Sequence, residues 1–144
     1  MLDTSALLAA LIDNHAWHAL ARPYLPRPER SRLPGIVLAE TYARLRGEPF
    51  RVSAEVAASL LSPWWTKGEI LETPAELYAR ALEDAPTLNL GGQIHDYLIA
   101  LTCAHHGCPL VTADRRQADL ARRVFEDVGH ELTLIDLPQV PERR

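Results

Sequence analysis

The sequence has little cysteine and no long apolar run, and each shortage excludes a class of protein. Its 144 residues include two cysteines, Cys103 and Cys108, which are too few for a scaffold held by disulfides. No apolar stretch approaches the roughly 20 residues that a membrane-spanning helix needs. No basic segment precedes an apolar one at the N-terminus, so we expect no signal peptide, no membrane association and a cytoplasmic location.

Lysine is also scarce, since Lys67 is the only one and arginine supplies every other basic side chain. The net charge of −4 argues at first against a nucleic-acid partner. The distribution of charge matters more than its sum, because a planar guanidinium binds phosphate well. Four arginines follow Asp114 closely in the sequence: Arg115, Arg116, Arg122 and Arg123. They form either a local basic cluster or a solvated helix face.

Several motifs of well-known enzymes are missing. The chain has no glycine-rich phosphate loop, no nucleophilic serine elbow and no dinucleotide-binding fingerprint. The group Cys103, His105, His106 and Cys108 has zinc-binding residue types, but its spacing matches neither usual zinc pattern. A small buried thiol is the better interpretation of this segment.

Helix-like and strand-like segments alternate along a chain that is long enough for one domain, over residues 1–144. The first helix follows a cap at Thr4 or Ser5 and the second follows Asn14, and further helices are predicted over residues 35–46, 54–61, 73–84, 93–106 and 117–128. Predicted strands cover residues 31–33, 69–72, 110–112 and 131–137, with a strand remnant at 1–3. This alternation favours an α/β fold whose parallel sheet is covered on both faces.

Local signals predict where several of these helices begin and end. Ser53 is a suitable cap for one helix, and Pro63 is expected to stop it. Thr73 followed by Pro74 predicts another helix start, with threonine as the cap. Gly129 is expected to end the last helix.

Four acidic residues stand where a fold rarely places an ionised side chain. Asp3 directly precedes the first apolar helix, and Glu40 interrupts an apolar helical stripe. Asp96 begins an apolar helical segment, and Asp114 ends a buried strand. Because ligands sit beyond the carboxyl ends of parallel strands, we expect Asp3 and Asp114 to share one site at that edge of the sheet.

Each of these residues also has a purely structural interpretation. Asp3 and Asp114 are suitable helix caps, Asp96 suits the first turn of a helix, and Glu40 is spaced to pair with Arg44. Their joint occurrence indicates instead a hard divalent cation such as Mg²⁺, which binds carboxylates, water and phosphate. Such an ion offsets the repulsion among the carboxylates and activates water, so the pattern predicts phosphate chemistry.

Small hydroxyl side chains neighbour the acidic residues at three positions. Either they hold the waters of a bound cation, or they serve as helix caps and strand formers. The three supporting residues are Thr4, Ser5 and Thr112.

Four segments in order resemble the PIN-domain ribonucleases, and most closely the VapC-type toxins of bacterial toxin–antitoxin modules. They are residues 3–8 (DTSALL), 37–40 (VLAE), 96–100 (DYLIA) and 110–114 (LVTAD). The resemblance implies a three-layer α/β/α fold with a central parallel sheet, and hydrolysis of RNA phosphodiester bonds. It implies a pocket for Mg²⁺ or Mn²⁺ with Asp3 and Asp96 as principal ligands, completed by Glu40 and Asp114.

The resemblance also implies partners, namely a second copy of the chain and a small antitoxin that covers the pocket. Arg115 and Arg116 are the predicted RNA-binding residues, because they directly follow Asp114. Gln117 and Leu120 occupy positions where the family often has an acidic residue and an aromatic one, so a fifth ligand is not expected. Two alternatives stay open: a PIN nuclease of RNA processing, and a non-catalytic module whose acidic pocket binds a basic side chain.

Overall fold

A computed structural model describes residues 1–126 and 131–135 of the chain. The helices are α1 (Thr4–Leu11), α2 (His18–Ala21), α3 (Gly35–Arg46), α4 (Ala54–Thr66), α5 (Ala75–Leu88), α6 (Ile94–His105) and α7 (Arg115–Phe125). The strands are β1 (Arg32–Pro34), β2 (Glu69–Leu71), β3 (Leu110–Thr112) and β4 (Leu132–Leu134). Short 3₁₀ turns lie at Arg22–Tyr24 and Pro28–Arg30. This alternation confirms the predicted α/β class.

Every strand pair in the described part of the chain is parallel. β1 pairs with β2, and β3 pairs with β4, so the hydrogen bonds form two two-stranded sheets. The chain start adds to β3, because Leu2 bridges Val111 and the Asp3 amide donates to the Val111 carbonyl at 3.0 Å. The predicted strand remnant at the N-terminus therefore exists, and it places Asp3 at the same sheet edge as the end of β3.

Two helices form the centre of the core. In α1, the run of residues 6–10 is buried, and in α6 the run 97–103 is buried. A helix that is apolar on all sides must be surrounded by other elements. α1 packs against α2 and α3, while α6 packs against α5 and α7. Packing of these buried runs fixes the helix starts, where Asp3 caps α1 and Asp96 lies in the first turn of α6.

Three helix starts differ from those predicted: Asp3, which was also a suitable cap, caps α1, and neither α2 nor α5 has a side-chain cap. α1 begins at Thr4, and the Asp3 carboxylate, rather than Thr4 or Ser5, accepts the Ala6 amide. α5 has no side-chain cap, since the Thr73 hydroxyl bonds to Thr102 at 2.8 Å. α2 begins at His18 rather than after Asn14 and ends in a 3₁₀ turn.

The ends of two helices also differ from the prediction. Pro63 does not stop α4, which continues to Thr66. Burial of the large Trp64 side chain in that last turn offsets the hydrogen bond that proline removes. α7 begins at Arg115 instead of Gln117, because Asp114 caps it. The predicted helix end at Gly129 and the strand residues beyond 135 lie outside the described residues.

Within residues 1–126 and 131–135, none of the helices has the length and apolar character that crossing a bilayer requires.

Candidate active site

The four predicted carboxylates line one pocket of about 390 Å³, which we call the acidic pocket. Each comes from a different part of the fold: the start of α1, the middle of α3, the first turn of α6 and the end of β3. The full lining is Asp3, Thr4, Ser5, Leu8, Glu40, Ala43, Arg44, Gly92, Asp96 and Asp114. Residues that are up to 111 positions apart in sequence thus converge, although their roles stay predictions.

Asp3 is buried, with a relative exposure of 3 %, and its oxygens are already engaged. Oδ1 accepts the Ser5 hydroxyl at 2.7 Å and the Ala6 amide at 2.8 Å, while Oδ2 accepts the Thr112 hydroxyl. Burial raises the pKa of Asp3 to about 6, these three hydrogen bonds counteract the rise, and the charge of Asp114 adds to it. Asp3 therefore caps α1 and is also one of the carboxylates that line the acidic pocket.

Glu40 connects three helices at the pocket wall. Its Oε2 accepts the Thr4 hydroxyl of α1 at 2.8 Å. Its Oε1 lies 3.4 Å from Nδ1 of His95 in α6, and its side chain is 27 % exposed. The predicted alternative was an exposed glutamate pairing with Arg44, whereas Glu40 is half-buried and binds Thr4 and His95. Its geometry is that of an inward-facing pocket residue.

Asp96 is a carboxylate with a strongly raised pKa. Burial and then the charges of Glu40, Asp114 and Asp3, in that order, raise the pKa of Asp96 to about 7. The positive charge of Arg44 opposes the rise. In the described part of the chain no side chain donates a hydrogen bond to this carboxylate, so its oxygens face the pocket uncommitted.

Asp114 lies at the exposed rim and caps α7. Its Oδ1 accepts the amides of Arg116 at 2.8 Å and Gln117 at 3.4 Å. The Thr112 hydroxyl lies beneath it and accepts the Asp114 amide at 3.0 Å. The capping interpretation of Asp114 is thus correct as geometry, and it leaves Oδ2 directed away from the helix amides for a second function.

The three predicted supporting hydroxyls hold the carboxylates directly. Thr4 donates to Glu40, whereas Ser5 and Thr112 donate to Asp3. Ser5 also accepts the Ala113 amide at 2.9 Å, which joins α1 to the end of β3. Thr4 and Ser5 themselves line the acidic pocket, so these hydroxyls fix the carboxylate orientations at its wall.

The two arginines predicted to bind RNA lie just outside the acidic pocket. Both are exposed at the first turn of α7. Arg115 lines a neighbouring cavity together with Asp114, while Arg116 contributes its backbone amide to the cap. Farther along α7, Arg122 is paired with Asp119 at 2.7 Å. Their position at the rim agrees with the expectation, and their binding role stays a prediction.

Sequence analysis missed two residues of the site. Arg44 lines the acidic pocket one helical turn after Glu40, a spacing that had been assigned to an ion pair. Gln117 is buried, and its Nε2 donates to the Asp96 carbonyl at 3.0 Å. The only signal for Gln117 was its place in the first turn of α7, close to Asp114. From the sequence, Gln117 indicated only that this position does not supply a fifth acidic ligand.

The donor atoms of the pocket fit a hard divalent cation in type. Among residues 1–126 and 131–135, no three His, Cys, Asp or Glu side chains are drawn together as a coordination shell. Carboxylate and hydroxyl oxygens are nevertheless the ligands that Mg²⁺ and Mn²⁺ prefer. Burial first, and then repulsion from the neighbouring carboxylates, raises the pKa of Asp96. A bound cation would remove that repulsion.

Comparison with known proteins gives two matches. A family model described as PIN domain matches residues 1–123. The chain is also 32 % identical over 135 residues to Ribonuclease VapC27 of Mycobacterium tuberculosis (strain ATCC 25618 / H37Rv). That alignment covers 89 % of this chain and 90 % of the relative. The range matched by the family model contains all four pocket carboxylates.

Proposed function

The chain belongs to the PIN domain family, and on this premise we propose that it is a metal-dependent endoribonuclease of the VapC type. The observation that supports this most strongly is the convergence of Asp3, Glu40, Asp96 and Asp114 on one pocket. Its likeness to a relative named as a ribonuclease agrees with RNA as the substrate. A module that only binds a basic side chain has no need for all four carboxylates.

The four carboxylates would hold Mg²⁺ or Mn²⁺. The oxygens of Asp96 are the least engaged in other hydrogen bonds and so the most available to the ion. Such an ion, when bound, polarises a phosphoryl oxygen and makes water a better nucleophile near neutral pH. Without it, the pocket does not keep all four side chains ionised, because Asp96 takes up a proton near pH 7. The reaction product is an RNA strand cut at an internal phosphodiester bond.

The residues of the chain itself orient the reaction. Ser5 and Thr112 fix the Asp3 carboxylate, and Thr4 fixes Glu40, so these oxygens cannot rotate away from the substrate. Asp96 accepts no hydrogen bond from the described side chains, which leaves its oxygens available to the ion, and one of the four carboxylates, or the water that they orient, would accept a proton from the attacking water. Arg44 at the wall supplies a guanidinium for the substrate phosphate.

The proposed antitoxin has a surface suited to it. An apolar groove of about 640 Å³ lies between α1, α3 and α4, and its lining includes Leu11, Phe50, Val56 and Leu60. An apolar helix of a small partner fits such a groove. We propose that the cognate antitoxin binds here, and that the toxin works in the cytoplasm.

A homodimer is the second proposed assembly. On α5, Tyr78 is 46 % exposed and Leu82 is 66 % exposed, one helical turn apart. An apolar pair on the outer face of an otherwise polar helix suits contact with a second copy. Sedimentation of wild-type protein beside Leu82→Glu tests this, since the charge should shift a dimer to monomer.

Metal dependence is tested with RNA and purified protein stripped of metal. Cleavage should appear when Mg²⁺ or Mn²⁺ is added and should disappear when a chelator is present. Ca²⁺ at the same concentration is the control, because it binds carboxylates with a looser geometry. Cleavage at an equal rate in chelator and in Mg²⁺ would contradict the proposal.

Toxin and RNA-processing roles are separated by the neighbouring reading frame and by growth. A toxin should arrest cells when it is expressed alone, and a small protein encoded beside it should relieve the arrest. Growth that continues normally during expression of a protein active in vitro would favour an RNA-processing nuclease.

A further inference from the structure

A second cavity, which we call the side cavity, opens directly beside the acidic pocket. It measures about 410 Å³. Its wall shares Ser5, Leu8, Arg44 and Asp114 with the acidic pocket. A ligand that extends from the acidic pocket past Arg44 therefore enters the side cavity without crossing protein.

The rest of the side cavity is largely aromatic. His15, Trp17 and Phe50 line it, and the remaining members are Ala113 and Arg115. The ring centroids of His15 and Trp17 are 5.5 Å apart, with a tilt of 35° between the ring planes. Both rings come from the segment that joins α1 to α2, whereas Phe50 follows α3. Three rings from two separate segments thus surround one cavity.

These rings are held in place before any ligand arrives. Trp17 and Phe50 pack against the hydrophobic core while remaining partly exposed. The Trp17 amide donates to Nδ1 of His15 at 3.2 Å, which fixes the imidazole. Burial, aided by His18, lowers the pKa of His15 below its ordinary value, which favours the neutral ring. A ring held in this way offers a face for stacking at little cost in conformational entropy.

Positive charge lies at the boundary between the two cavities. Arg44 is exposed and lines both, and Arg115 lines the side cavity. Aromatic faces beside guanidinium groups are the combination with which proteins bind single-stranded nucleic acid. The apolar groove described above shares His15 and Phe50 with the side cavity, but no arginine lines it, so it better matches an amphipathic protein helix.

We propose that the side cavity binds one unstacked base of single-stranded RNA, adjacent to the phosphate that is cleaved in the acidic pocket. The inference rests on the proposed ribonuclease function and adds a specificity-determining site to it. The base stacks on the aromatic wall, and Arg44 contacts the phosphate between base and cleavage site. Stacking of this kind changes affinity by about 5- to 150-fold per base.

The experiment uses an RNA that the wild-type protein cleaves, with its cleavage site mapped. Affinity is measured in the inactive Asp96→Asn background for short versions in which one nucleotide at a time lacks its base. One position next to the cleaved phosphate should show a loss of affinity of at least about 5-fold. The variants Phe50→Leu and His15→Leu, which remove rings but keep apolar volume, should reduce that loss to less than about 2-fold.

Trp65→Leu on α4 is the matched control, because it removes an exposed ring that does not line the side cavity. This control should leave the loss of RNA affinity caused by the missing base unchanged. Thermal melts verify that each variant is folded. The inference would be overturned if the missing base caused an equal loss of affinity in the Asp96→Asn protein and in its Phe50→Leu and His15→Leu variants. It would also be overturned if these variants weakened antitoxin binding while RNA binding stayed the same. RNA that is neither bound nor cleaved by the wild-type protein would refute the proposed function itself.

Discussion

At the scale of single residues, the four pocket carboxylates differ in how far the fold has engaged their oxygens. Asp3 accepts three hydrogen bonds, and Asp114 accepts two backbone amides. Glu40 accepts one hydroxyl and faces His95. Asp96 accepts none from the described side chains, and its pKa of about 7 lies above the value of about 6 at Asp3. At Asp96, therefore, a proton and a cation compete most directly for the same carboxylate oxygens.

The substitution Asp96→Asn should abolish RNA cleavage and stabilise the metal-free protein. An acid whose folded pKa lies above its unfolded value of 3.8 stabilises the fold below that unfolded value, and the stabilisation is lost as the pH rises through the folded pKa. Asparagine is uncharged at every pH, so the variant does not lose this stability as the pH rises. The free energy of unfolding of the variant should exceed that of wild type by about 1–2 kcal/mol at pH 8, allowing for solvent screening.

The measurement is urea unfolding in chelator from pH 4 to pH 8. The advantage of Asp96→Asn should grow as the pH rises to about 7 and then stay constant. Asp119→Asn is the control, because it removes an exposed carboxylate on α7 and should differ little from wild type. A variant strongly destabilised at every pH would instead assign Asp96 a structural role at the start of α6.

At the scale of helices and strands, one side chain holds the α6 and α7 halves of the site together. Gln117 donates from Nε2 to the Asp96 carbonyl, and its own amide donates to Asp114. Its Oε1 is buried without a hydrogen-bond partner in the described residues, which is a cost that an apolar side chain would avoid. We infer that the amide is retained because it sets the spacing of these two carboxylates.

Gln117→Leu should therefore separate stability from activity. The leucine fills a similar volume and leaves no unpaired Oε1, so the melting temperature should change by only a few degrees. Cleavage should fall by about tenfold, and the Mn²⁺ concentration for half-maximal cleavage should rise, since displaced carboxylates bind a cation less well. A melt and an Mn²⁺ titration measure the two effects. Unchanged Mn²⁺ dependence would show that Gln117 has only a packing role.

Sequence patterns predicted the elements better than their junctions. Alternation of helices and parallel strands placed Asp3 and Asp114 at one sheet edge, because this depends only on chain direction. The choice of Asp3 over Thr4 as the cap depends on where the chain leaves its bridge to β3, and the continuation of α4 past Pro63 depends on the burial of Trp64. The site residue Arg44 was missed because its helix face is set by tertiary packing.

At the scale of the whole molecule, an acidic protein has to bring an RNA backbone to an acidic pocket. The net charge of −4 repels the substrate at long range, so local cations must compensate. Arg115 and Arg116 begin α7 beside Asp114, at the rim of the pocket. Their effect is electrostatic and should therefore depend on salt.

Replacing both Arg115 and Arg116 by alanine in the Asp96→Asn background should weaken RNA binding and flatten its salt dependence. The slope of log affinity against log salt should become shallower by roughly 0.7 for each phosphate of single-stranded RNA that the protein no longer neutralises. Affinities measured across a range of salt concentrations give this slope. The control is Arg27→Ala with Arg30→Ala, an exposed pair distant in sequence from the acidic pocket. An unchanged slope in the first variant and a shallower one in the second would move the RNA-binding surface to that segment.

The central claim is that four carboxylates from separate elements form one catalytic site. Its most direct test is the RNA cleavage rate, at saturating Mn²⁺, of Asp3→Asn, Glu40→Gln, Asp96→Asn and Asp114→Asn beside Asp119→Asn. Each pocket variant that melts as a folded protein should cleave at least about 100-fold more slowly than wild type, because removal of a charge that stabilises the transition state costs about 3 kcal/mol. Asp119→Asn should cleave at the wild-type rate. Wild-type cleavage by folded Asp96→Asn or Asp114→Asn would contradict the account.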